Sequence, residues 1–187
     1  MIKLKTHQLT IDALLAAMCA VLGGLVKIDL RVIKISLECY PVFLAAMMYG
    51  PLDGALVGGI GTLIYQLLAY PLSATTPLWI LPYILAGALT GLYAKHFRFN
   101  NTPRQIRLAV ALMELLILLL NTAVICIDAK IYGYYSFSYV FGAVGFRLLA
   151  AAAKAVLFGL FTPKLLKRLS RYTRNGQGYC LNGDESK

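Results

Sequence analysis

From Cys39 to Leu52 the chain is almost wholly apolar, and the GPLDG segment breaks that run before a second, glycine-studded one begins. A spanning helix needs about 20 apolar residues, so the first run reads as a short or tilted span with a polar entry at Lys34 and Glu38. Gly50-Pro51 ends it, because proline lacks the amide proton and the residue before it avoids the α region. Gly54 and Gly58 lie four apart, a spacing that lets membrane helices approach closely.

Similar apolar runs recur along the chain. Only 14% of its residues are charged, 59% are hydrophobic, and the mean hydropathy is +0.71. A soluble domain keeps more charge. The runs are too continuous for the alternating strands of a membrane barrel. The expectation is an all-α integral membrane protein with residues 1–171 forming a six-transmembrane-helix bundle. Residues 172–187 are polar and read as a disordered tail.

The formal charge of +10 reflects topology. Lys3, Lys5, Lys95, Arg98, Arg104, Arg107 and the basic cluster from Lys164 to Arg174 fall in segments that an even number of spans places together. The positive-inside rule then puts both termini in the cytoplasm (N-in/C-in) of a multi-pass plasma-membrane protein. No nucleic-acid footprint is needed to explain the basicity. Cys19, Cys39, Cys126 and Cys180 have no metal-site spacing and read as packing residues.

In order, the first helix is expected over about Thr10 to Lys27, with overlapping small-residue steps at Ala13/Ala17 and Ala16/Ala20. The segment KIDLRVIKIS is a charged outer loop whose alternation at Ile28, Leu30 and Val32 predicts a short extended piece. Asp53 is expected to cap the third helix. The fifth helix should run from about Ile106 to Asp128 and the sixth from about Tyr139 to Leu166. Counting rises from their cytoplasmic ends puts Glu114 about 10 Å and Lys154 about 15 Å deep, close enough for a structural ion pair. Arg147 stands nearer the outer end, level with Asn121, and Asp128 is an acid within its possible reach.

Catalytic patterns are missing. His7 and His96 sit at cytoplasmic ends, away from any embedded nucleophile. Neither HExxH nor GxxxxGK[ST] occurs, so neither zinc-protease nor P-loop chemistry is encoded, and the chain reads as no enzyme with no cofactor. What gathers at the outer ends is Lys27, Arg31, Lys34, Tyr65, Gln66, Tyr70, Trp79, Tyr83, Asn121, Tyr135 and Arg147. Aromatic faces with a few cationic donors suit a small, partly aromatic, anionic ligand. Interfacial aromatic belts would also account for several of them.

The basic stretch Arg31–Ser36, the short helix from Leu37 to Tyr49 and GPLDGALVG at 50–58 resemble the substrate-binding membrane subunits (S-components) of energy-coupling-factor vitamin transporters. Their pattern has a KIS-like entry, an FGP-x-x-GALVG turn and a glycine-rich third helix. The resemblance implies high-affinity capture of a vitamin by a bacterial membrane subunit. It also implies docking, through an alanine face on the first helix, onto a transmembrane coupling subunit served by two ATPases. The first loop and the GP turn look most like the folate group. GTLIYQLL stands where that group's usual aspartate would fall, so pantothenate, cobalamin and other vitamins stay open. Two further readings are a non-transport scaffold and a stand-alone secondary transporter; the latter lacks an evident inverted repeat or broken helix pair.

Overall fold

A computed structural model of the chain describes residues 6–25, 27–29, 34–97, 102–142 and 144–173, with side chains for 8–24, 37–97, 102–142, 144–166 and 168. The elements are α1 (Thr6–Leu25), β1 (Lys27–Asp29), β2 (Lys34–Ser36), α2 (Cys39–Tyr49), α3 (Pro51–Ala69), α4 (Thr76–His96), α5 (Pro103–Ile131), α6 (Phe137–Phe141) and α7 (Val144–Thr173). Among the described residues, α3, α4, α5 and the α6–α7 stretch are long and apolar enough to cross a membrane, while α1 and α2 are shorter apolar helices.

The extended piece takes the form of a two-stranded antiparallel ribbon, with Ile28 opposite Ile35 and Lys27 opposite Ser36. Arg31 lies outside the described residues, as does the tail beyond Thr173. The predicted last helix corresponds to α6 and α7, which lie in one candidate span over Phe137–Leu166, and α7 runs on to Thr173; Ala143 between them lies outside the described residues. The fifth helix begins earlier than its apolar run. Thr102 accepts from the Gln105 amide while the Gln105 side chain returns to the Thr102 amide, a capping box ahead of Pro103.

α2 is the centre of the bundle. From Val42 to Ala46 no residue is more than 1% exposed, and α2 contributes to both apolar clusters of the core. Gly50 makes the reversal into α3 with φ 112, a conformation that a side chain disfavours. α3 and α4 then meet backbone to backbone. A Cβ on Gly87 would lie 2.2 Å from the Gly54 carbonyl oxygen, so only glycine fits that crossing.

Asp53 does not cap α3 as expected. The N-cap position is Gly50, with no side-chain cap. Asp53 is 4% exposed and accepts from Gln8 Nε2 at 2.8 Å, so it ties α3 to α1 instead. A buried carboxylate needs a fixed partner, and a distant helix supplies it.

Candidate functional site

Glu114, Asn121 and Asp128 recur every seven residues along α5, about two turns at 3.6 residues per turn, which places them on one face. Arg147 and Lys154 have the same spacing on α7. Both sets face a cavity of about 510 Å³, within the range typical of small-molecule sites. α2 contributes Glu38 and Cys39 at its start, α3 contributes Tyr65 and Gln66, and α4 contributes Trp79 and Tyr83. Tyr70, Ser73, Thr75 and Thr76 complete the wall from the α3–α4 connection and the first turn of α4.

The floor is ionic. Lys154 Nζ lies 2.8 Å from Glu114 Oε2, the Cys39 thiol donates to Glu114 Oε1 at 2.9 Å, and Glu114 is 1% exposed. Burial of that depth requires such pairing. About 10 Å nearer the mouth, one seven-residue step along each helix, stand Asn121 and Arg147. Tyr83 donates to Glu38 Oε1 there. Three polar atoms in this part of the wall are buried without a hydrogen-bond partner: Arg147 Nη1, Asn121 Oδ1 and Glu38 Oε2.

Tyrosines form the upper wall and rim. Tyr65 is 1% exposed; its hydroxyl meets that of Tyr70 at 3.3 Å, with the rings edge to face. Tyr132 and Tyr139 line the cavity on the other side. Asp128 accepts from Tyr134, and that hydrogen bond to the carboxylate raises the Tyr134 phenol well above its ordinary pKa. Among the described residues Asp128 makes no ion pair with Arg147.

The cavity therefore brings together Tyr65, Gln66, Tyr70, Trp79, Tyr83, Asn121 and Arg147. Tyr135 is not among them: it is 43% exposed and lies beside Lys130, whose ammonium is 5.5 Å from its ring centre. The turn at Gly133, φ 76, precedes this displacement from the lining. Lys27 and Lys34 sit in the ribbon strands, and their side chains lie outside the described set.

The two alanine registers of α1 part company. Ala16 and Ala20 are 4% and 7% exposed; the Ala16 carbonyl faces Gly61 of α3. They are core residues and offer no docking surface, because the side of α1 that packs on α3 carries them inward. Ala13 and Ala17 point outward beside exposed Leu14 and Val21.

Glu38, Cys39, Thr75, Thr76, Asp128 and Tyr139 line the site without having been singled out for it. For Asp128, the repeat at 114, 121 and 128 was the available sequence signal, since an apolar helix that repeats polar residues on one face has a polar cavity there. Glu114 and Lys154 belong to the same lining, so their pair is part of the cavity as well as of the fold. Among the described residues no group of three His, Cys, Asp or Glu side chains is arranged to hold a metal.

A family model described as "ECF transporter, substrate-specific component" matches residues 7–170. No curated protein sequence matches the chain. Among solved structures, the fold is similar to FolT bound with folic acid, with TM-score 0.65 and 20% identity over 88% of this chain and 97% of that one. It is also similar to the S component of a bacterial ECF transporter, with TM-score 0.59 and 21% identity over 87% and 97%. At these identities the structural likeness concerns the fold.

Proposed function

The chain belongs to the substrate-specific components of ECF transporters, membrane proteins that bind a small-molecule substrate, and from that membership we propose that it captures a vitamin for an ATP-driven importer. The observation that carries this is Arg147, whose Nη1 is buried without a partner in an aromatic-walled cavity. An unmet cationic donor inside a membrane protein is costly unless a ligand completes it. The cargo is a small, partly aromatic, anionic vitamin. A folate-like molecule is favoured, since one protein of similar fold carries folic acid; pantothenate and cobalamin are the alternatives.

In this reading the chain crosses a bacterial plasma membrane six times, with both termini in the cytoplasm and the cavity mouth outside, as its basic segments require. Among the described residues four helices meet the length criterion alone; α1 and α2 complete the six within the bundle. It partners a transmembrane coupling subunit and two ATPases, which supply the hydrolysis that a chain without a P-loop cannot. Ala13 and Ala17 form the docking face, being the outward register.

The deciding experiment is mass spectrometry of small molecules released from protein purified in detergent. A stoichiometric vitamin is the expected result. None, from cells grown in rich medium, would overturn tight capture and favour the scaffold. Ala13→Trp with Ala17→Trp should abolish uptake and partner docking while ligand binding persists.

A further inference from the structure

The unpartnered atoms of the cavity's middle level specify more than a charge. Asn121 Oδ1 is buried with no partner, and an amide oxygen only accepts.

Arg147 stands at the same level. The Glu114–Lys154 contact at 2.8 Å fixes the register between antiparallel α5 and α7, and one seven-residue step toward the mouth reaches Asn121 on one helix and Arg147 on the other. The wall at this level therefore offers an acceptor on α5 and a donor, Nη1, on α7. A carboxylate would satisfy Arg147 but set a second acceptor against Asn121 Oδ1. A ligand edge with a donor beside an acceptor satisfies both, so neither is left desolvated and unmet.

We infer that the part of the substrate seated between α5 and α7 is a cis-amide edge, a ring N–H beside a ring carbonyl, with the N–H on Asn121 and the carbonyl on Arg147. The substrate class is a lactam or ureide heterocycle. Open-chain secondary amides hold N–H and C=O on opposite sides and present no such edge. The inference rests on vitamin capture as the protein's role, and narrows the cargo.

The test is isothermal titration of the full chain in detergent with folic acid and biotin, anionic vitamins that carry the edge, and with nicotinate and pantothenate, anionic vitamins that do not. Tight binding is expected from the first group only. Methylating the ring nitrogen of the binder should weaken it by about 10- to 100-fold, the cost of leaving a buried acceptor unmet. Tight binding of a vitamin from the second group, or an N-methyl analogue as tight as its parent, would overturn the cis-amide assignment and leave vitamin capture standing. If none of the four binds, the cis-amide assignment falls, and vitamin capture then stands or falls with the small molecules released from the purified protein. Asn121→Ala provides the second readout: with the acceptor gone, the preference for the parent over its N-methyl analogue should shrink, and an unchanged preference would overturn the assignment of the ring N–H to Asn121.

Discussion

The two long walls of the cavity are built on opposite principles. α3 and α4 touch backbone to backbone, with a Cβ on Gly91 placed 2.3 Å from the Pro51 nitrogen and one on Gly87 just as close to Gly54. α5 and α7 meet instead through long side chains, with Lys154 on Glu114 and the Arg107 stem beside Gly159. The first wall is held by shape, which leaves no room to change. The second is held by charge and hydrogen bonding, and the atoms left unpartnered at Asn121 and Arg147 belong to it. One side of the molecule is fitted by shape, and the other carries the unpartnered polar atoms that the proposed ligand would meet.

The difference can be broken most severely on the charged side. Lys154→Met leaves Glu114 buried without its counter-charge and should cost about 3–5 kcal/mol, lowering the thermal midpoint in detergent by about 10 °C or more. Adding Glu114→Gln should recover most of the loss, and a double mutant no better than the single would mean the pair is not what stabilises that wall. On the shape-held side, Gly87→Ala drives a methyl into the Gly54 carbonyl and should cost about 1–3 kcal/mol, read as a lower midpoint and reduced folded yield in size-exclusion chromatography. Arg147→Met separates recognition from stability: ligand affinity should fall about 10- to 100-fold, while the midpoint of the ligand-free protein does not fall. The smallest effect sharpens the contrast. Gly145→Ala on α7 meets nothing within 4 Å and should change stability by no more than about 0.5–1 kcal/mol, in the favourable direction; a penalty matching that of Gly87→Ala would erase the distinction between the walls.

The long apolar helices were legible because hydropathy and helix period act along the chain. The shape-held wall was legible too, since glycine spacing within one helix reports how closely another comes. The recognising wall was harder to read. Glu114 and Lys154 were paired by counting rises, yet that count measures depth only and cannot reveal that a cavity reaches down to them. Asp53 illustrates a competing rule: position favoured a helix cap, and the tertiary partner Gln8 took it. Tyr135 stands outside the lining that Tyr132 and Tyr139 share, two residues past the positive-φ turn at Gly133, a local placement that no periodicity along the chain reports. The alanine registers of α1 needed the position of α3 to be told apart.

α2 has 11 residues, about 16 Å of helix at 1.5 Å per residue, roughly half the thickness of a bilayer's hydrocarbon core. Its middle is sealed inside the bundle, with Phe43 and Ala45 fully buried, so lipid never meets that stretch and thickness matching does not govern its length. Its first residue, Cys39, lies at the cavity floor, and its last adjoins the Gly50 reversal. The helix thus backs the cavity floor with a fully buried core, and its length follows the distance from that floor to the reversal rather than the thickness of a bilayer.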